Sequence, residues 1–182
     1  MSDRGEILLR LARETILREL LGTTVGTAEG DWLAVPGATF VTLTHIGKLR
    51  GCMGSLQAHR ALRDDVQANA LAAAFRDPRF MPLSASELDQ LRVEVSLLSP
   101  TETLSFDSEA DALAQLKPLQ DGVILQFGRQ RATFLPQVWE QLPQPEDFMA
   151  QLKRKAGLPS GFWSDAIRLE RYRVQKWREQ DD

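Results

Sequence analysis

The residues with the clearest potential for chemistry lie in one short stretch, residues 49–55 (LRGCMGS), which holds the only cysteine of the chain between two glycines. Glycine inside a strand lowers stability and usually marks a bulge or a close backbone approach. Arg50 and Cys52 share one face of such a strand, and a nearby guanidinium favours thiolate over thiol. The stretch therefore predicts either a reactive cysteine in a glycine-walled pocket or a small buried hydrophobic residue, which a lone cysteine often is.

The two histidines are poorly placed to serve as the base for a cysteine nucleophile. His45 would lie about 13 Å from Cys52 at the usual rise per strand residue, and His59 reaches it only if the chain doubles back. A Cys–His dyad is therefore disfavoured. The sequence contains no CxxC, HxxxH or HExxH pattern, so we predict no metal site and leave any cofactor unknown.

Other polar residues point to a ligand site, each with a structural alternative. Asn69 falls on the buried stripe of a predicted helix, where its amide either ties a loop backbone or points into a pocket. Asp77 and Arg79 flank a proline, where an ion pair that holds the loop is the simplest interpretation.

Glu94 and Ser96 occupy the polar side of a strand whose other side is apolar. Because the apolar side needs the core, we expect the polar side to face Arg50 and Cys52, with Arg50 as the partner of Glu94. The pocket would then hold one carboxylate, one guanidinium and one thiol. If the polar side faces solvent instead, these residues carry no function.

Hydrophobic periodicity places these residues on helices and strands. A capping-box spacing at Ser84 predicts one more short helix. The predicted helices cover residues 4–21, 60–75, 108–116 and 145–156, and the predicted strands cover residues 38–44, 48–57, 91–98, 122–127, 131–135 and 166–177.

Two details of the predicted strands bear on the site. A hairpin turning at Ile46-Gly47 places Val41 opposite Cys52, Leu43 opposite Arg50 and His45 opposite Lys48. The long final strand changes the parity of its apolar residues, which predicts a bulge or bend near Glu170. Strands and helices do not alternate strictly, so we predict an α+β fold with a mainly antiparallel sheet and flanking helices.

The composition is that of an average globular protein, with 43% hydrophobic and 26% charged residues among 182. This excludes a disordered or fibrous chain. A net charge of −3 provides no global basic field for non-specific nucleic-acid binding. A single cysteine allows no intrachain disulfide and fits a reducing compartment such as the cytoplasm. The sequence has no run of 18 apolar residues, and its charged N-terminus is unlike a signal peptide, so we expect no membrane association.

Residues 49–54 (LRGCMG) resemble the signature of the AMMECR domain, a family named for the AMME-syndrome candidate protein and called AmmeMemoSam system protein A in bacteria. Met53 stands where the family usually has isoleucine, which is a volume-conserving apolar exchange. The order and spacing of further segments agree over nearly the whole chain, namely residues 70–74, 77–80, 82–83, 87–88, 93–98, 121–123, 134–138 and 155–158.

The resemblance implies a two-lobed α+β fold with a cleft near the LRGC motif, formed by a single domain over residues 1–182. It also associates the chain with a Memo-family protein, itself similar to extradiol dioxygenases, and with a radical-SAM enzyme. This suggests one step of a shared modification or redox pathway. It adds weight to these candidate site residues: Arg50, Cys52, Asp77, Arg79, Glu94 and Ser96.

Three functions follow as hypotheses. The first is an enzyme acting on a small molecule or a protein, with Cys52 and Glu94 as catalytic residues and with binding residues Arg50, Gly51, Gly54, Asn69, Asp77, Arg79 and Ser96. The second is a non-catalytic binding or adaptor module for a Memo-like partner. The third is a nucleic-acid-binding protein that uses the final strand, whose basic and aromatic residues are Arg168, Arg171, Tyr172, Arg173, Lys176, Trp177 and Arg178. The acidic pI disfavours the third.

Overall fold

The computed structural model describes residues 3–180. By their internal contacts the residues form two compact units, unit 1 with Met1–Leu98 and Gln175–Asp182, and unit 2 with Ser99–Val174. Within residues 3–180, every helix is too short or too polar to cross a bilayer. Helices accompany antiparallel sheets, which confirms the predicted α+β class.

Eight strands and four helices make up the described chain. The helices are α1 (Arg4–Leu21), α2 (Leu62–Phe75), α3 (Glu109–Gln115) and α4 (Pro145–Lys155). The strands are β1 (Ala38–His45), β2 (Lys48–Gly54), β3 (Leu91–Leu98), β4 (Glu102–Thr103), β5 (Gly122–Phe127), β6 (Gln130–Phe134), β7 (Arg168–Tyr172) and β8 (Val174–Arg178). Short 3-10 turns cover Asp31–Leu33, Ala85–Gln90 and Pro136–Glu140.

Unit 1 is a sheet with two helices on one face. Its strand order is β2-β1-β3-β8, and β1 pairs antiparallel with both β2 and β3. One face buries Val41, Leu43, Val93 and Val95 against apolar residues of α1 and α2. Since side chains alternate along a strand, the residues between them lie on the opposite face. That opposite face carries the candidate site.

Unit 2 has its own sheet, with strand order β4-β7-β5-β6, and its own apolar core. At the centre of this core, the rings of Trp139 and Phe148 stack with their centroids 3.7 Å apart. The Trp139 indole N–H donates to the carbonyl oxygen of Asp121 at 2.7 Å. The buried ring therefore has its polar atom satisfied, as burial requires.

The prediction of one continuous final strand over residues 166–177 is wrong. The structure divides residues 166–177 into β7, which pairs with β5, and β8, which lies beside β3 in the other sheet. The break falls at Arg173, not near Glu170. The change of parity therefore marks the point where the chain passes from one sheet to another, and not a bulge within one strand.

Candidate active site

The hairpin of β1 and β2 contains a bulge at the arginine of the LRGC motif. His45 pairs with Lys48, as predicted, but Leu43 pairs with Gly51 and Thr44 with Leu49, so Arg50 is the extra residue. The predicted register is therefore wrong beyond the turn, and Cys52 lies opposite Thr42 instead of Val41. Counting from the turn cannot detect an inserted residue, and this explains the error.

The corrected register produces one row of three side chains across the sheet. Thr42 pairs with Cys52 on β2 and with Glu94 on β3, so all three point to the same face. The Thr42 hydroxyl lies 3.3 Å from the Cys52 thiol. Phe40 forms the neighbouring row, with Gly54 on one side and Ser96 on the other. Two predicted site residues of β3, Glu94 and Ser96, therefore lie on the face that carries the thiol.

Asp77 fixes the backbone at the cysteine. Because β2 is an edge strand, the backbone N–H of Cys52 is free to donate to the Asp77 carboxylate, at 3.0 Å. Arg79 binds both oxygens of the same carboxylate, with Nε at 3.0 Å and Nη2 at 2.7 Å. These hydrogen bonds from the Arg79 guanidinium hold the pKa of Asp77 well below its usual range. The carboxyl group is nearly fully buried, while the Arg79 side chain is 55% exposed.

Arg50 is paired with Glu87 and not with Glu94, so this part of the prediction is wrong. Its Nε donates to one Glu87 oxygen at 2.6 Å and its Nη2 to the other at 3.1 Å. This pairing lowers the pKa of Glu87 to about 2. The Arg50 Nη1 atom is buried and has no hydrogen-bond partner within residues 3–180.

Phe80 links the two arginines. The guanidinium carbon of Arg79 lies 5.4 Å from the centre of its ring, and that of Arg50 lies 5.8 Å from it. Both distances fall within the range of cation–π attraction. Each arginine thus has its Nε–Nη2 edge held by a carboxylate and its charge beside the same aromatic ring.

The two glycines of the motif are required by close packing, as predicted. A Cβ on Gly51 would lie 2.0 Å from the carbonyl oxygen of Ala73 in α2, and one on Gly54 would lie 2.2 Å from the Phe40 ring. Neither position has room for a side chain. Gly51 therefore brings β2 onto α2, and Gly54 accommodates Phe40 on the site face.

Asn69 belongs to a separate buried network on the helix-covered side of the sheet. Its amide donates to the Thr39 carbonyl oxygen and to Asp65, both at 3.0 Å. Asp65 is fully buried and also accepts from the Thr39 N–H at 2.8 Å, from Ser55 at 2.6 Å and from Arg60 at 2.8 Å. The assignment of Asn69 to ligand binding is therefore corrected, since its amide ties the backbone of β1.

Sequence reasoning missed Thr42, Phe80, Glu87 and Asp65. Two of them have a local signal. Glu87 is the capping-box carboxylate of its 3-10 turn and accepts from the Ser84 N–H at 2.9 Å, while Asp65 stands four residues before Asn69 on the buried stripe of α2. Their partners, however, come from distant parts of the chain and depend on the tertiary fold.

Several residues of the basic final segment have partners within their own unit. Arg171 pairs with Glu102 and Arg173 with Asp121, both at 3.1 Å. Tyr172 is buried, and Trp177 packs against Gly5. Arg171, Arg173 and both aromatic rings of the segment that suggested nucleic-acid binding are thus engaged within the protein.

No group of three or more His, Cys, Asp or Glu side chains within residues 3–180 has an arrangement that could hold a metal ion. The candidate site instead combines a half-buried thiol, a hydroxyl, three carboxylates and two guanidinium groups. These groups can transfer protons, bind anions and supply a sulfur nucleophile.

Comparison with known proteins gives a consistent result. The family model described as AMMECR1 matches residues 9–177. A protein of Methanothermobacter thermautotrophicus is 36% identical, covering 97% of this chain and 95% of its own. Protein MJ0810 of Methanocaldococcus jannaschii is 34% identical, with coverage of 97% and 90%. The crystal structure of uncharacterized protein PH0010 from Pyrococcus horikoshii superposes with a TM-score of 0.81 at 31% identity, over 97% of this chain and 91% of that one.

Proposed function

The chain belongs to the AMMECR1 family, and on that premise we propose that it is an enzyme whose nucleophile is the Cys52 thiol. Glu94 accepts the thiol proton through Thr42, and Arg79 binds an anionic substrate. The observation that carries this proposal is the 3.3 Å contact between the thiol and the Thr42 hydroxyl, with Glu94 on the other side of the same threonine.

The row of three side chains provides a path for the proton. Directly opposed residues of an antiparallel pair have Cβ atoms about 4.5–5.5 Å apart. The Thr42 hydroxyl and the Glu94 carboxylate are therefore within reach of each other through one water molecule or a side-chain rotation. Within residues 3–180, the Glu94 carboxylate has no hydrogen-bond or ion-pair partner, so it is available as a base.

The guanidinium groups favour a substrate with a negative charge. Arg79 is exposed, and Asp77 holds only its Nε and Nη2 atoms. The remaining Nη1 edge can donate to a carboxylate or phosphate. The buried and unpartnered Nη1 of Arg50 is the atom of the cluster that most needs an acceptor, because an unsatisfied buried donor costs free energy.

The chemistry that fits these groups is addition of sulfur to an electrophilic carbon, such as a carbonyl. The Sγ–H proton passes to Thr42 while the hydroxyl proton passes to Glu94. The Sγ–C bond then forms, the π bond of the carbonyl breaks, and its oxygen takes the proton from Glu94. Atoms and electrons balance without an oxidant or a metal.

We place this step in the pathway that the family resemblance implies, together with a Memo-family protein and a radical-SAM enzyme. A free thiol at the site suits a reducing compartment such as the cytoplasm. Deletion of the gene should then change the same metabolites as deletion of either partner, as measured by untargeted metabolite profiling. If the three deletions change unrelated sets of metabolites, the pathway assignment is wrong.

A binding or adaptor module is the second candidate function. Met81 directly follows Phe80 in the chain and is 80% exposed, and an exposed methionine beside a charged cluster suits adaptable protein contacts. In that case the exchange Met81→Ser should weaken capture of the Memo-family partner while leaving the reactivity of Cys52 unchanged.

The enzymatic proposal can be tested on the thiol directly, since Cys52 is the only cysteine. The rate of iodoacetamide labelling at neutral pH should fall in Glu94→Gln and in Thr42→Val, because the path that takes up the thiol proton is lost, and Thr42→Ser should restore the wild-type rate. Glu19→Gln, which alters an exposed side chain of α1, is the matched control. Identical rates in all variants, faster labelling in Glu94→Gln, or labelling only after denaturation would overturn the proposed activation of Cys52 as a nucleophile.

A pair of alkylating reagents tests the anion site. Iodoacetate is negatively charged and iodoacetamide is neutral. The ratio of their rates at Cys52 should exceed the ratio for free cysteine about tenfold, since a charge pair between guanidinium and carboxylate is worth one order of magnitude or more. Arg79→Gln should remove this preference, Arg79→Lys should retain part of it, and the neighbouring exposed Arg76→Gln should keep all of it. A ratio equal to that of free cysteine would remove the anionic substrate from the proposal.

A further inference from the structure

Unit 2 contains a pocket of about 470 Å³ that involves none of the residues discussed above for catalysis. It lies where β4 ends beside β7, on the face of the sheet opposite the buried Leu125 and Leu169. Ile124 and Glu170 form one cross-strand pair in its wall, and Gln126 and Arg168 form the next. Its volume falls within the range of small-molecule sites.

The pocket has an apolar floor. Leu104, Ile124 and Ile167 line it and are almost completely buried. Phe106 also lines it and is held in place by the ring of Trp163, with the ring centroids 5.5 Å apart. A ligand in this pocket would gain free energy mainly by covering the half-buried ring of Phe106, whose apolar surface it would remove from water.

Two opposite charges stand at the rim without neutralising each other. Asp165 and Arg168 both line the pocket and both are exposed. Within residues 3–180, neither side chain has a hydrogen-bond or ion-pair partner. Arg168 thus offers its donors to a carboxylate, and Asp165 offers its oxygens to an ammonium group.

We propose that this pocket binds a small zwitterion with an apolar side chain, which is the chemistry of a free α-amino acid or of a short peptide. Arg168 binds the carboxylate, Asp165 binds the α-ammonium group, and the floor formed by residues 104, 106, 124 and 167 takes the apolar side chain. Glu170 accepts a hydrogen bond from Thr101 at 3.2 Å, so Asp165 is the carboxylate left for the ligand. The site is independent of Cys52 and of the proposed reaction.

Isothermal titration calorimetry on the full chain tests this proposal with four probes: L-leucine, the dipeptide Leu-Leu, N-acetyl-L-leucine and L-leucinamide. The acetyl compound lacks the ammonium charge and the amide lacks the carboxylate. We expect binding of leucine or of the dipeptide, and at least about tenfold weaker binding of the two blocked compounds. Preference between the first two probes identifies the source of the ligand.

Variants connect the binding to the residues. Arg168→Gln should weaken binding of the zwitterion about tenfold and abolish the discrimination against leucinamide. Asp165→Asn should also weaken binding of the zwitterion about tenfold, and it should abolish the discrimination against N-acetyl-L-leucine. Arg154→Gln, an exposed arginine of α4, is the control, and thermal unfolding confirms that each variant is folded. If neither zwitterion binds, if the blocked compounds bind equally well, or if Arg168→Gln leaves binding unchanged, the proposal is wrong.

Discussion

Two buried aspartates of unit 1 use the same chemistry at two strands of one sheet, Asp65 at β1 and Asp77 at the edge strand β2. Asp65 and Asp77 each accept a backbone N–H from a strand and hold a guanidinium. Asp65 is surrounded by Thr39, Ser55, Asn69 and Arg60, so all its acceptor capacity is used inside the protein. Asp77 instead holds an arginine that is 55% exposed.

The two networks differ in whether the guanidinium group that the aspartate holds can still contact a ligand. The network of Asp65 is closed and joins β1 to α2. The network of Asp77 is open on its outer side, next to the only thiol of the chain. We infer that the first supports the fold and that the second orients groups toward a ligand. Substitutions in the two networks should therefore separate loss of stability from loss of reactivity.

The largest effect is expected at the closed network. Asp65→Ala leaves the Thr39 N–H, the Asn69 amide and Arg60 without their shared acceptor, and should lower the free energy of unfolding by about 3–5 kcal/mol. Urea denaturation measures it. Asp64→Ala, an exposed neighbour on α2, should stay close to wild type. A comparable loss in both variants would show that helix charge and not the network is responsible.

Gly51 tests how tightly the helix-covered face is packed. Gly51→Val places side-chain atoms against the backbone of Ala73 and should destabilise the protein by about 1–3 kcal/mol, as overpacking does. The matched control is Gly161→Ala, where a Cβ would meet no atom within 4 Å. An unchanged urea midpoint for Gly51→Val would mean that α2 moves away from β2 at little cost.

Glu87 should show a smaller effect with a defined pH dependence. Because Arg50 lowers the pKa of Glu87 from 4.5 to about 2, the pair stabilises the native state above the unfolded-state pKa and loses this contribution as pH falls toward 2. Glu87→Gln should cost about 1 kcal/mol at neutral pH, since glutamine keeps one oxygen acceptor. Its stability should also fall less than that of wild type when the pH is lowered from about 6 to about 3.

Urea midpoints at both pH values measure this difference. Glu140→Gln, an exposed glutamate of unit 2, should keep the wild-type acid dependence. Equal acid dependence of Glu87→Gln and wild type would show that the salt bridge to Arg50 does not contribute to stability.

Elements with strong local signals could be predicted from the sequence. Helix α1 follows from its apolar stripe and from Gly22, which ends it with φ of 68°. Strand β3 follows from strict alternation, and its polar side does lie on the face of Cys52. The spacing of apolar residues was enough to predict these two elements because each has one buried side.

The partners of the site residues could not be predicted. One inserted residue at Arg50 changed which residue lies opposite Cys52, and hydrophobic pattern does not report a bulge. Arg50 could pair with either Glu87 or Glu94 on sequence grounds, and in the structure it pairs with Glu87. Pairing of this kind depends on how distant segments approach, which composition and periodicity do not encode.

The break at Arg173 has a consequence for biosynthesis. Strand β8 completes the sheet of unit 1, where the Glu179 N–H donates to the Val93 carbonyl oxygen at 3.0 Å and the Glu179 carboxylate accepts from Arg13 at 2.5 Å. On the ribosome, β3 therefore waits as an unpaired edge until nearly the whole chain has been made, and such an edge is prone to pair with other chains. In unit 2, β5 also waits for its partner β7, but over a shorter stretch of chain that lies within the continuous residues 99–174. Unit 2 can thus complete its sheet before unit 1 does, although most of unit 1 is synthesised first.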